Sequence, residues 1–230
     1  MSRALFVTGT DTGVGKTVVA AALVRGLVSE GARVAVMKPV AAGAFSTPEG
    51  LRNADALTLM QAANVQAPYA WVNPYCFEPP IAPHIAAFEQ GTSIDISLIQ
   101  ARYQSLAAKS DHVIIEGAGG WLAPISEHES IADVATAIGA PVVLVVALRL
   151  GCLNHALLTL RAIKAQGAAL AGWIASMIDP QMPRRAENLA SLESLMQQPP
   201  VAVVPHQTRA EKALELRAAV VALLNVRPVR

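Results

Sequence analysis

Short apolar runs alternate with longer stretches of helical character along the whole chain. Residues 4–7, Ala-Leu-Phe-Val, read as a buried strand, and the Ala/Val-rich segment 18–28 reads as a helix that stops at Gly31. Residues 33–37 form a second strand ending at Lys38 and Pro39. A polar loop is expected over 43–50, a short helix over 55–63, and an ordered Pro- and aromatic-rich loop over 68–83. Ser93 and Asp95 can cap a helix running to Lys109. Strands follow at 112–115, 141–146, 170–174 and 201–204, with helices at 130–139, 152–166, 184–196 and 211–224 and a frayed tail at 225–230.

That alternation predicts an α/β fold, a mostly parallel sheet covered by helices on both faces. No shift in composition marks a boundary, so residues 1–230 read as one domain. In such a sheet the functional groups collect beyond the carboxyl ends of the strands. Four informative stretches fall there: 9–17, 38–43, 116–120 and 148–154.

The first stretch organises the others. Gly9-Thr10-Asp11-Thr12-Gly13-Val14-Gly15-Lys16-Thr17 lies between the first strand and the first helix. Strand, Gly-rich loop and Lys-Thr at a helix start are the context of a phosphate-binding loop. Glycines let backbone N–H groups approach a phosphate, and the helix N-terminus adds unpaired N–H groups and positive partial charge. Lys16 then neutralises the β- and γ-phosphates and Thr17 turns its hydroxyl toward Mg²⁺. The entry is unusual: Thr10 stands where the first glycine of this loop is expected, and Gly9 comes one residue early.

Glu116 ends a mostly apolar strand, the position of an acid that organises Mg²⁺ in nucleotide hydrolases. Gly117, Gly119 and Gly120 beside it permit close backbone approach. Asp55 is the other acid in reach of such a role, although spacing alone favours a helix cap. Lys38, at a strand end, reads either as a surface lysine or as a second cation for a transferring phosphoryl group. Gly151, Cys152, Leu153 and Asn154 open a helix whose N–H groups suit an anion or an ordinary cap. His84, His112, His128, His155 and His206 are scattered without metal-ligand spacing.

Composition narrows the class. The formal net charge is +1 and charges form no long blocks, which removes the electrostatic case for nucleic acid or an anionic membrane surface. Cys76 and Cys152 form no close pair and read as free thiols of a reducing compartment. A strand begins almost at residue 1, which leaves no room for a signal peptide, and a cytoplasmic enzyme is expected.

The ordered series of motifs resembles the dethiobiotin synthetase family. It consists of the loop at 9–17, Lys-Pro-Val-Ala-Ala-Gly at 38–43, Thr-Pro-Glu-Gly-Leu-Arg-Asn-Ala-Asp-Ala at 47–56 and Val-Asn-Pro-Tyr at 72–75. Pro-His at 83–84, Glu-Gly-Ala-Gly-Gly-Trp at 116–121 and Leu-Gly-Cys-Leu-Asn-His-Ala at 150–156 complete it. The resemblance implies a P-loop NTPase-type fold, a homodimer, and Mg²⁺-ATP, carbon dioxide and diaminopelargonic acid as reactants. It implies phosphates on Gly13, Val14, Gly15, Lys16, Thr17 and Val18, and Mg²⁺ on Thr17, Asp55 and Glu116. Thr12, Lys16 and Lys38 would surround the carbamate and γ-phosphate, with Gly117, Ala118 and Gly119 lining the same cavity. Gly151 to Asn154 would bind the substrate carboxylate across the dimer interface, and Ser176, Met177, Pro205, His206 and Gln207 would receive adenine. Three positions depart from the family: Ala42 replaces a serine that positions the diamine, Ser176 an adenine-reading asparagine, and Asn188 a tyrosine that meets the substrate carboxylate.

Two other activities share this architecture. A relative that amidates a cobalamin precursor needs a glutamine-hydrolysing domain, for which the chain is too short. A ParA-like ATP switch usually has a second lysine early in the loop, where Thr10, Asp11 and Thr12 stand here.

Overall fold

Six parallel strands in the order β10-β9-β8-β1-β7-β2 form the central sheet of the computed structural model, which describes residues 3–206. They are β1 (Arg3–Gly9), β2 (Val34–Met37), β7 (His112–Glu116), β8 (Val142–Ala147), β9 (Leu170–Ser176) and β10 (Ala202–Val204). Val34 to Met37 and Val142 to Ala147 are wholly buried, as strands covered on both faces must be.

Residue parity decides which helix each side chain meets. Leu5, Val7, Val34, Val36, Ile114, Val143 and Val145 pack in one cluster with α1 (Lys16–Ser29) and α2 (Ala54–Ala62). Phe6, Ala35, Met37, Val113, Ile115, Leu144 and Trp173 point the other way. There they meet side chains of α5 (Ile96–Ala107), α6 (Ile131–Ile138), α7 (Cys152–Ala165) and α8 (Arg185–Met196). Period two then carries Lys38 beyond β2, and Glu116 at the end of β7, onto the α1/α2 face. Parallel register sets Glu116 beside Val7, and the N–H of Gly117 donates to Val7 O at 3.0 Å.

Residues 40–89 carry more structure than the sequence reading expects. The expected polar loop at 43–50 is largely an antiparallel hairpin of β4 (Phe45–Thr47) and β5 (Gly50–Arg52). The expected loop at 68–83 holds α3 (Tyr69–Val72) and β6 (Tyr75–Phe77), which pairs in parallel with β3 (Val40–Ala42). Helix α4 (Pro83–Glu89) was not anticipated; Pro83 opens it, where a missing N–H costs nothing. Three-residue strands have too little pattern to show periodicity, and only their pairing identifies them. The expected helix at 211–224, the tail at 225–230 and Gln207 lie outside the described residues.

Caps explain several helix starts. Asp95 accepts the N–H of Ser97 at 2.7 Å, as expected, whereas Ser130 and Asp133 form a reciprocal capping box. Asn53, rather than Asp55, caps α2: its Oδ1 accepts the N–H groups of Asp55 and Ala56 at 3.0 and 3.2 Å. Such a cap contributes about 1 kcal/mol and leaves the Asp55 carboxylate free for other work.

Candidate active site

The loop after β1 is shaped by close packing. Gly9 lies on the α1 face, where an added Cβ would meet Val14 Cγ2 at 2.5 Å, so the early glycine has a steric cause. Gly13 and Gly15 adopt φ of 72° and 95°, in the left-handed region that favours glycine. An added Cβ at Gly15 would also meet Ser176 Oγ at 2.9 Å. Gly15 then forms the N-cap of α1 without any side-chain cap, leaving the helix N-terminus to an anion. Asp11 is tied to the strand β8 side of the fold through an ion pair with Arg149 at 2.5 Å, a tether the sequence did not announce.

Opposite this loop stands a cluster of charge in which Lys38 and Glu116 are buried and Asp55 is half-exposed. Lys38 Nζ donates to Glu116 Oε1 at 2.7 Å and to Asp55 Oδ2 at 3.1 Å. Thr17 Oγ1 donates to the same Glu116 Oε1 at 2.8 Å. The side chains of Lys38 and Glu116 are only 5% and 1% exposed, so Lys38 is no surface lysine. Glu116 Oε2 is buried and has no hydrogen-bond partner among the described residues. Lys16 Nζ rests on the carbonyl of Asp11 at 2.8 Å.

Burial opposes charge on both lysines, but their net shifts run in opposite directions. Desolvation and the charge of Lys38 push Lys16 down to about 8. Desolvation also opposes charge on Lys38, but Glu116 and Asp55 outweigh it and hold Lys38 above its ordinary value. Burial would raise Asp55, and Lys38 instead keeps it below the usual carboxylate value.

These groups line one cavity of about 730 Å³. Thr12, Gly13, Gly15, Lys16, Thr17, Val18, Lys38, Ala42, Asp55, Glu116, Ala118 and Gly119 all border it, so most of the triphosphate and carbamate set comes together. Val14 is buried beneath the loop and Gly117 packs against Phe6 and Ile131, so neither faces the opening. Asn53, Pro80, Ile81 and Ala82 add a wall that sequence reasoning missed; Pro80 to Ala82 carry no polar side chain to signal a role.

The remaining candidates lie elsewhere. Ser176 ends β9 beside Val204, the N–H of Met177 donates to Val204 O at 2.9 Å, and His206 Nδ1 lies 3.2 Å from Met177 O. This places Ser176, Met177, Pro205 and His206 together at adjoining strand ends, outside the cavity lining. Gly151, Cys152, Leu153 and Asn154 begin α7 and do not border the cavity either. Asn188, on α8, donates to the carbonyl of Arg184 at 2.8 Å. No described helix is long and apolar enough to cross a membrane, and the described residues hold no cluster of three or more potential His, Cys, Asp or Glu metal ligands.

Comparison with known proteins agrees with this geometry. A family described as an AAA domain matches residues 3–213. The fold is shared with MinD of Aquifex aeolicus in its complex with MinC (TM-score 0.61, 13% identity, 100% of this chain and 99% of that one). It is shared also with a ParA-family ATPase of Chlorobium tepidum (TM-score 0.56, 15% identity, 96% and 92%). At such identities the likeness concerns the P-loop fold alone. Sequence relatives are far closer. The ATP-dependent dethiobiotin synthetase of Pseudomonas paraeruginosa is 46% identical over 98% of this chain and 97% of its own. Those of Aromatoleum aromaticum and Escherichia coli K12 are 47% and 44% identical, over 92% and 89% of this chain and 94% and 91% of theirs. With its phosphate loop, its buried lysine between two acids and this full-length similarity, the chain belongs to the family of ATP-dependent dethiobiotin synthetases.

Proposed function

We propose that this cavity closes the ureido ring of dethiobiotin from diaminopelargonic acid and carbon dioxide, with Mg²⁺-ATP as the activating reactant. ATP-dependent dethiobiotin synthesis is the family's activity. The observation that carries the assignment to this cavity is Lys38, a buried ammonium held between Glu116 and Asp55 and facing the phosphate loop.

One amine of the diamine adds to carbon dioxide and loses a proton to give a carbamate. A carbamate oxygen attacks the γ-phosphorus, the bond to the β-bridging oxygen breaks, and ADP leaves. The second amine attacks the carbamoyl carbon and gives up a proton, the ring closes, and phosphate departs with the electron pair of the broken C–O bond. No protein nucleophile is required; positioning and charge stabilisation suffice. Lys16 and the amides of Gly13, Gly15 and Thr17 hold the phosphates, while Thr12 and Lys38 face the carbamate and the transferring group. Asn53 and Ala42 border the diamine end, where Ala42 offers only backbone polarity.

Thr17, Asp55 and Glu116 would hold Mg²⁺. The donor set suits it: two carboxylates and a hydroxyl, with phosphate and water oxygens to complete six, and a buried Glu116 oxygen with no hydrogen-bond partner among the described residues. When bound, the ion neutralises charge on the β- and γ-phosphates.

We also read the protein as a homodimer working in the cytoplasm. Gly151 to Asn154 lie outside the lining of the 730 Å³ cavity, and the neighbouring Leu150 is 91% exposed, which suits a segment serving a partner's substrate. Cys76 and Cys152 are free thiols, as a reducing compartment favours. Adenine is assigned to the strand ends around Ser176 and Met177.

The test is product formation from diaminopelargonic acid, bicarbonate and Mg²⁺-ATP, with ADP and phosphate released in step with dethiobiotin. Folded protein that hydrolyses ATP but forms no dethiobiotin would refute the reading.

A further inference from the structure

We infer that Tyr69 is a positioning residue: its hydroxyl joins the two buried asparagines that hold Lys38 and Asp55 in place across the cavity. The inference rests on the functional reading above.

The hydrogen bonds determine their own direction. Asn73 is 2% exposed, and its Nδ2 donates to Lys38 O at 2.7 Å and Tyr75 O at 3.1 Å. With the amide hydrogens used, Oδ1 is an acceptor, and it receives the Tyr69 O–H at 2.9 Å. A lone pair of the same hydroxyl accepts the N–H of Asn53 at 2.7 Å. Asn53, 5% exposed, caps α2 through Oδ1 and donates Nδ2 to Ala42 O at 3.4 Å. Cap and hydroxyl together set where α2 begins, and Asp55 stands in its first turn.

One hydroxyl therefore links the strand end that carries Lys38 to the helix turn that carries Asp55. The N–H of Lys38 donates to Val72 O at 2.7 Å, which anchors the same strand end to the helix that carries Tyr69. Tyr69 touches neither the cavity nor the reacting atoms. Arg52 covers its ring, with the guanidinium carbon 4.3 Å from the ring centre, so the ring's placement does not depend on the hydroxyl. Burial and the neighbouring Cys76 raise the phenol above its ordinary value, which keeps it a donor through the working range. Networks of this kind act as units, and removing one member leaves buried polar groups without partners.

Tyr69→Phe keeps the ring and removes the link, together with the hydroxyl's 3.6 Å contact to Cys76 Sγ. At saturating substrates kcat should fall by about tenfold, because a displaced positioning group costs rate rather than affinity. The Mg²⁺ concentration for half-maximal rate should rise several-fold, since Asp55 is displaced, while KM for ATP stays within about twofold, since the loop at Gly9 to Thr17 is untouched. Ile163→Val, a core substitution on α7, which packs on α8 and β8, lowers stability away from this network and serves as the control. Unchanged kcat and Mg²⁺ dependence in Tyr69→Phe would overturn the inference. So would a change matched by Ile163→Val at equal loss of thermal stability. If Tyr69→Phe does not fold, Asn73→Ser releases the carbonyl of Lys38 and should show the same split, and its absence counts equally against the inference. A wild-type protein that makes no dethiobiotin would instead remove the functional reading on which the inference stands.

Discussion

The two walls of the cavity are built in opposite ways. The phosphate wall is nine consecutive residues, Gly9 to Thr17, shaped by local sterics and by the helix start that follows. The facing wall is gathered from the ends of β2 and β7 and the first turn of α2, and long-range hydrogen bonds through Asn53, Tyr69 and Asn73 hold it together from behind. A contiguous loop needs only its own backbone conformation to bind phosphate. A gathered wall needs every connecting segment in place, and so it can be altered from a distance.

The electrostatics differ in the same way. Lys16 rests on a backbone carbonyl and is pushed down to about 8, whereas Lys38 is paired with two carboxylates and keeps its charge. A buried pair such as Lys38–Glu116 is costly to break on one side, because the remaining charge is left uncompensated.

The largest effect should come from the gathered wall. Lys38→Ala should lower the rate of dethiobiotin formation by about a hundredfold or more at saturating ATP, since it removes charge stabilisation from the transferring group. Full activity in folded Lys38→Ala protein would leave the lysine a purely structural ion-pair partner. Asp55→Ala and Glu116→Ala should weaken the Mg²⁺ dependence of turnover, measured by metal titration with circular dichroism to verify the fold; unchanged dependence in both would show that Mg²⁺ is held elsewhere.

A smaller effect should separate the walls by affinity. Gly9→Ala forces a methyl group toward Val14 and should cost about 1–3 kcal/mol of stability, as overpacking does. It should raise KM for ATP more than it lowers kcat, the reverse of Lys38→Ala. Equal kinetic profiles for the two variants would erase the distinction between the walls.

The pH response should divide the lysines. Below about 8 Lys16 is charged in the free protein, and above it the lysine must take up a proton to bind phosphate. ATP affinity should therefore fall as pH rises from 7 to 9, by at most about tenfold per pH unit above the midpoint for a single linked proton. Calorimetry in buffers of different ionisation enthalpy should show proton uptake on binding over that window. Lys38, held charged by its acids, should contribute none. Proton-neutral binding at pH 9 would contradict the assignment to Lys16.

The smallest expected effect concerns the base. Ser176 has one short hydroxyl where an asparagine amide can match two groups of adenine. Ser176→Asn should raise the kcat/KM preference for ATP over GTP and CTP by up to about tenfold, the value of one good hydrogen bond. Unchanged ratios would remove Ser176 from base recognition.

The alternation of strands and helices, the phosphate loop and the acid at Glu116 were legible in the chain because each depends on neighbours in sequence: an apolar run, a glycine spacing, a strand end. Asp55 was ambiguous between cap and ligand for the same reason. Its role turns on Asn53 occupying the cap, and two adjacent polar residues at a helix start compete for it on nearly equal terms. Lys38 was equally open, since nothing near it in sequence indicates burial; only the parity of β2 and the arrival of Glu116 from 78 residues away put it inside. The small sheets at 40–52 and 75–77, and Tyr69 between the asparagines, had no periodic signal at all. Local sterics and hydrophobic period thus wrote the phosphate wall and the sheet into the sequence. The opposite wall was decided only by tertiary contact, because its polar groups find their partners across long stretches of chain.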